Sequence, residues 1–203
     1  MRASRLFLGM IAIYAIISIA GATTYLQVQS PVNGTIYDGG SVFLGKVGPG
    51  ESFSVIASAT TTNASGGRLV NLGWNTFEAV NMPQGWIAQN SPLYENPMLL
   101  KITTPPYATN GTYRLTLRAV NIQNYSRLGN LTFTALVNVS TNVFTLNVTP
   151  TQFNIGTGQP QNLRIVINNT GISDDPFVIN AAGLAGWNIS DSVVALHSLK
   201  STF

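Results

Sequence analysis

The chain of 203 residues predicts an all-β fold: antiparallel β-sandwiches in tandem, the second incomplete, preceded by an N-terminal hydrophobic helix. Three observations carry that prediction. Short stretches alternate apolar and polar side chains with a period of two, the pattern of a strand packed on one face. Gly- and Pro-rich turns separate them, and beyond the first residues no window of helical length holds a capped 3.6-residue period. The second part of the chain then repeats the turn pattern of the first.

In chain order, Met1–Arg5 carries two Arg and no acid, Leu6–Ala20 is fifteen residues without a charge, and Ala20-Gly-Ala22 is a small-x-small site. Together they read as a signal peptide over residues 1–22, cleaved after Ala22. The apolar run is shorter than the roughly 20 residues of a usual spanning helix. Arg2 and Arg5 equally suit an uncleaved membrane anchor with its Arg end inside. On either reading the remainder is exported, to the cell envelope or the extracellular space.

Residues 23–141 form the first expected sandwich. Tyr25–Gln29 alternates as its opening strand, and Pro31-Val-Asn-Gly34, Asp38-Gly-Gly40 and Val47-Gly-Pro-Gly50 supply turns. Glu51–Ala57 leaves the last of these as a strand. Thr60–Gly67 is a polar loop, Leu69–Phe77 a strand containing Trp74, and Met82-Pro-Gln-Gly-Trp86 a corner. Met98–Thr103 enters the clearest stretch, Lys101–Val120, which reads as a strand pair joined by a Pro105-Pro106 loop and an Asn110-Gly111 turn. Tyr113, Leu115, Leu117 and Ala119 share one face of its second strand, and Arg114, Thr116 and Arg118 the other. Tyr113 stands where a tyrosine corner would. Asn130–Val139 alternates with Leu131, Phe133, Ala135, Val137 and Val139 inward, and is expected as the edge that closes this sandwich.

Residues 142–203 start the pattern again. Phe144, Leu146 and Val148 alternate, Gly156-Thr-Gly-Gln-Pro160 matches the turn at Val47–Glu51, and Leu163, Ile165 and Ile167 mirror Phe53, Val55 and Ala57. The Gly-Trp pairs at Trp86 and Trp187 lie 101 residues apart, the span of one Ig-like domain of about 100 residues. The second copy reaches Phe203 without an equivalent of Lys101–Val120, so a partial sandwich and a fragment of a longer chain are expected.

Gly48-Pro-Gly-Glu-Ser-Phe-Ser-Val55, Met82-Pro-Gln-Gly-Trp86, and Lys101-Ile-Thr-Thr-Pro-Pro106 with Gly111-Thr-Tyr-Arg-Leu115 carry a family resemblance. Residues 26–139, and in part 142–189, resemble the alpha-galactosidase-associated (NPCBM-associated) Ig-like domain family. That family is similar to the cell-adhesion-related tandem repeats of exported bacterial and archaeal proteins. The resemblance implies a non-catalytic spacer, adhesion or accessory role. The second copy departs from it in lacking the Pro-Pro and Gly-Thr-Tyr portion.

Composition narrows the function classes. Charged residues are 8% of the chain, against about 25% in an ordinary soluble domain, so Asn, Thr, Ser and Gln must supply the polar surface. Ten Lys and Arg oppose seven Asp and Glu without a basic cluster beyond the leader, which speaks against a nucleic-acid partner. With no Cys, disulfides, thiolate metal sites and Cys nucleophiles are excluded.

The densest chemical signal is a set of nine N-x-[ST] sequons, at Asn33, Asn63, Asn110, Asn124, Asn130, Asn138, Asn147, Asn168 and Asn188. Twenty Asn and 37 Ser or Thr in 203 residues give about four by chance. In an exported chain these are candidate N-glycosylation sites, with Asn33 and Asn110, in Asn-Gly turns, the most accessible. The other reading is that an Asn- and Thr-rich β surface generates sequons incidentally. Trp74 and Trp86 are the candidate sugar-contact pair, although Trp86 and Trp187 share a repeat position that suits a core-edge plug. Asp174-Asp175 with Asp191 offers calcium-type oxygens, but adjacent Asp before Pro176 reads as a turn. His197 is the one His, and no Ser-His-Asp set, phosphate loop or metal-ligand spacing accompanies it.

The expected function is a non-catalytic exported surface protein acting as spacer, structural or adhesion module, without cofactor or metal. The alternatives are a carbohydrate-binding accessory module of a larger secreted enzyme, or an envelope-assembly subunit that exchanges a strand. Expected partners are other envelope proteins or surface polysaccharide, with membrane contact only through the N-terminal segment or an anchor beyond Phe203.

Overall fold

The residues that alternation turns inward meet between two facing sheets. The computed structural model describes residues 24–62, 68–123, 129–152, 154–159, 161–179, 192–196 and 201–202, and all regular structure there is strand. The expected leader over 1–22, Asn63, Asn124, Trp187, Asn188, Asp191 and His197 lie outside the described residues. In chain order the strands are β1 (Tyr25–Ser30), β2 (Gly34–Tyr37), β3 (Ser41–Val47), β4 (Ser52–Ala57), β5 (Thr60–Thr62), β6 (Arg68–Gly73), β7 (Thr76–Asn81) and β8 (Ile87–Gln89). They continue as β9 (Met98–Thr103), β10 (Gly111–Val120), β11 (Asn130–Val139), β12 (Phe144–Thr149), β13 (Arg164–Asn169), β14 (Asp175–Ile179), β15 (Ser192–Leu196) and β16 (Ser201–Thr202).

One sheet has the order β2-β1-β4-β9-β8, and the other β3-β11-β10-β7. All neighbours are antiparallel except β3 and β11, which run parallel from Ser41 beside Thr134 to Val47 beside Val139. Leu26, Val28, Phe53, Val55, Leu100 and Ile102 from the first sheet face Leu115, Leu117, Leu131, Phe133 and Val137 from the second, and all belong to one buried core. The Phe77 and Phe133 rings stack at 6.1 Å within it.

Three expectations are corrected. The strand read over Leu69–Phe77 is two strands, because the chain dives at Trp74–Asn75: the Trp74 amide donates to Ala59 O, the Asn75 amide to Val120 O, and Trp74 enters the core. Asn130–Val139 is not an edge. It lies between β3 and β10, because Ser41–Val47, a stretch read only for its turn residues, pairs with its free side. The strands flanking Pro105-Pro106 are not partners, since β9 belongs to the first sheet and β10 to the second. The prolines carry the chain across the gap, where Thr104, 1% exposed, donates its hydroxyl to Gly48 O at 2.7 Å.

The free side of β7 is covered by its own chain. Ser91 Oγ accepts the Phe77 amide at 2.7 Å and Asn90 Oδ1 the Ala79 amide at 3.0 Å, while the Ser91 amide donates to Phe77 O. A bare edge would template pairing with another chain.

Beyond Ser140, β12, β13 and β16 form one small sheet and β14 with β15 another. Phe144 and Phe177 meet edge to face at 5.2 Å across them. The two turns matched in sequence have the same construction. Glu51 Oε2 accepts the Gly48 amide and Gln159 Oε1 the Gly156 amide, with Gly50 at φ 79° and Gly158 at φ 78°. Left-handed backbone of this kind favours glycine.

Leu117→Ala, in the fully buried centre of β10, is expected to cost about 2–5 kcal/mol. Phe43→Ala, on the outer face of β3, is expected to cost well under that. Urea unfolding followed by tryptophan fluorescence compares them, and equal losses would contradict the placement of the core.

Candidate functional site

The most elaborated polar arrangement joins the first sandwich to the strands that follow it. It begins in the turn Gly48-Pro49-Gly50-Glu51. The Gly50 amide donates to Pro105 O, the Thr104 amide donates to Glu51 O, and the Thr104 hydroxyl binds Gly48 O. Glu51 folds back so that its Oε2 accepts the Gly48 amide at 2.6 Å. The carboxylate is therefore aimed by its own turn before anything else reaches it.

Residues 169–173 bring the second half of the contact. Asn169, 1% exposed, accepts the Gly171 amide on Oδ1 at 2.8 Å and donates from Nδ2 to Ser173 O at 2.9 Å, which fixes the loop. The Thr170 amide donates to Val143 O and the Ile172 amide to Lys46 O, so this loop uses a carbonyl on the outer side of β3. Ile172, 5% exposed, joins the first sandwich's core by lying on Gly45. A Cβ at Gly45 would stand 2.5 Å from Ile172 Cγ2, and Gly45 has φ 132°. Close approach and backbone angle thus both require glycine there.

Ser173 closes the contact. Its hydroxyl donates to Glu51 Oε2 at 2.6 Å, with Asp175 Oδ2 at 2.9 Å on the same oxygen. One hydroxyl hydrogen serves two carboxylates. Hydrogen bonds to a charged acceptor contribute about 1.5–3 kcal/mol each when sheltered. Between the two halves, the Ser140 amide donates to Val47 O and the Thr141 amide to Asn110 Oδ1 at 3.2 Å, so the connecting residues are also tied to the first sandwich.

The sequons lie around this frame. Asn33 and Asn110 are exposed, in the β1–β2 connection and just before β10. Asn130, Asn147 and Asn168 are exposed on β11, β12 and β13, and Asn138 is half-buried on β11 between Lys46 and Thr112. None belongs to the buried core. Trp74 is 2% exposed with its Nε1 donating to Tyr25 O at 3.3 Å. Trp86 is 8% exposed, with its ring on Tyr113 at 5.3 Å. Neither indole offers a face on which a sugar could stack. Tyr113 Oη donates to Thr109 O at 3.0 Å, the local backbone bond of a tyrosine corner.

Three further carboxylates among the described residues have structural partners. Glu78 pairs with Arg118 at 2.7 Å, Glu95 accepts the Leu99 amide, and Asp38 accepts the Thr132 amide. Among the described residues no three His, Cys, Asp or Glu side chains come together as a metal site. The turn Gly48–Glu51 was legible in sequence, but its partner Ser173 was not. Ser173 lies 122 positions away from Glu51, in a stretch that in sequence reads only as an Asp-containing turn before Pro176.

Compared with known proteins, the chain matches no protein-family model and has no significant match among curated proteins.

Ser173→Ala removes the hydroxyl from Glu51 without touching either core. The expected result is a loss of about 1.5–3 kcal/mol of protection at the Ile172 amide, read by hydrogen exchange, with the amides of β10 and β11 unchanged.

Proposed function

We propose that the protein is an exported, non-catalytic spacer or adhesion module of the cell surface. It is built of Ig-like sandwiches in tandem, with the contact between Gly45–Glu51 and Ile172–Ser173 fixing the angle between them. The observation that carries this reading is that contact. A chain that only needed two independent binding units would have no use for a buried Ile172, a glycine that no side chain could replace, and a carboxylate aimed by its own turn. Supporting it are the strand order with β3 parallel to β11 and the repeated turn at Gly48 and Gly156. The carboxylates Glu78 and Glu95 are occupied in holding strands and loops, which favours a structural role over a catalytic one.

Glycans belong to this reading. At Asn33 and Asn110 the protein's own hydrogen bonds use Oδ1, which accepts from Gln27 Nε2 at 2.7 Å and from the Thr141 amide at 3.2 Å. The amide nitrogen, where a glycan is attached, is left to solvent. Asn138 is half-buried in the middle of a sheet and is the least suited of the described six. Glycans at the exposed positions would supply the hydration that a sparsely charged surface lacks.

Small-angle scattering of the full chain tests the spacer. A single extended conformation is expected, broadening to a distribution in Ile172→Ser, whereas freely jointed halves in the unaltered chain would sink the reading. Glycopeptide mass spectrometry after expression in a host with N-glycosylation machinery is expected to find Asn33 and Asn110 occupied and Asn138 bare.

A further inference from the structure

The end of the first sandwich opposite the Glu51 contact gathers exposed apolar side chains. Leu93 is 55% exposed, Tyr94 60%, Ile122 53% and Tyr37 51%. One buried residue organises two of them. Asn75, 7% exposed, accepts the Tyr94 amide on its carbonyl at 2.7 Å and the Ile122 amide on Oδ1 at 2.7 Å. Gln123 Nε2 then reaches Tyr94 Oη at 3.5 Å. Tyr94 has φ 65° and is the one non-glycine residue with positive φ among the described residues. Backbone in that region is costly for a bulky side chain, and here it accompanies the Tyr94 amide's bond to the Asn75 carbonyl while the side chain stays 60% exposed.

The position of this cap gives its partner. The chain enters the sandwich at the same end: Trp74, adjacent to Asn75, donates from its indole to Tyr25 O at the start of β1, and Tyr25 meets the Tyr37 ring edge to face at 6.1 Å. The uncharged run Leu6–Ala20 is separated from Tyr25 by residues 21–24, which span at most ~14 Å when extended. Any bilayer holding Leu6–Ala20 therefore lies within about 18 Å of Tyr25, five chain steps from Ala20. Tyrosines flanked by apolar side chains are the usual furniture of a membrane–water interface. The carboxylates described at this end, Asp38 and Glu95, are both tied to backbone amides.

We infer that Tyr37, Leu93, Tyr94 and Ile122 form a lipid-contacting foot, on which the first sandwich stands on the bilayer while the strands after Ser140 project away from it. The inference rests on reading residues 1–22 as a retained anchor rather than a cleaved signal.

The absence of Cys makes the test clean. Full-length Tyr94→Cys, Ile122→Cys and Tyr107→Cys are labelled with an environment-sensitive dye and reconstituted into phosphatidylcholine–phosphatidylglycerol vesicles. Tyr107, 73% exposed in the β9–β10 loop at the far end, is the control. All three positions are exposed, and circular dichroism checks that each variant keeps the parent fold. The foot predicts blue-shifted emission and quenching by spin-labelled lipid at positions 94 and 122, and neither at 107. Intact mass of protein extracted from the producing membrane establishes separately whether residues 1–22 are retained. A retained anchor with all three dyes in water overturns the foot and leaves the anchor standing. Quenching at all three, which means the sandwich lies flat, also overturns it. Removal of residues 1–22 overturns both.

Discussion

A chain that passes back and forth between two facing sheets must leave backbone groups at each crossing that neither sheet can pair. Buried and unpaired, each would cost about 1–3 kcal/mol. Here small polar side chains take them up. At one end Thr104 binds Gly48 O and Glu51 O, closing the crossing from β9 to β10 onto the turn before β4. At the other, Asn75 accepts the amides of Ile122 and Gln123, and Asn121 Nδ2 donates to Gly73 O. The apolar core between these ends is large, but its strands could not follow this order unless the crossings were satisfied.

Both ends acquire their character from that requirement. Because Thr104 immobilises the Gly48–Glu51 turn, the Glu51 carboxylate is held ready for Ser173, and the backbone of β3 offers Lys46 O to Ile172. Because Asn75 bonds both, the Tyr94 and Ile122 backbones are held together at the same end. The outer faces of the sheets mix Thr, Ser, Asn and Arg side chains and strand sequons with exposed apolar ones such as Phe43, Ile87 and Leu99.

Much of the first sandwich was legible because alternation is a local property. Leu115, Leu117 and Ala119 had to share a face of β10, and all are fully buried. The Gly48–Glu51 turn was legible for the same reason, since glycine and a reach-back carboxylate act within four residues. The misreadings concern partners. Nothing in Asn130–Val139 says whether one or two strands flank it, because an interior and an edge strand packed on one face alternate alike. Ser41–Val47 hides its strand character behind Gly45, whose backbone angle serves Ile172. Pro105-Pro106 looks like a hairpin loop from the sequence, yet a stiff extended linker serves equally well to cross between sheets.

Local sequence carries the all-β class, the inward faces of β10 and β11, several of the turns and the sequons. Each follows from the chemistry of a few adjacent residues: side chains alternate along a strand, and glycine and proline restrict the backbone locally. Which strand lies beside which, the burial of Trp74, and the meeting of Glu51 with Ser173 emerge only in the folded chain. Those are choices among segments far apart in the chain, settled by the joint demand to bury the apolar faces and leave no crossing unpaired. No short window of sequence carries that demand.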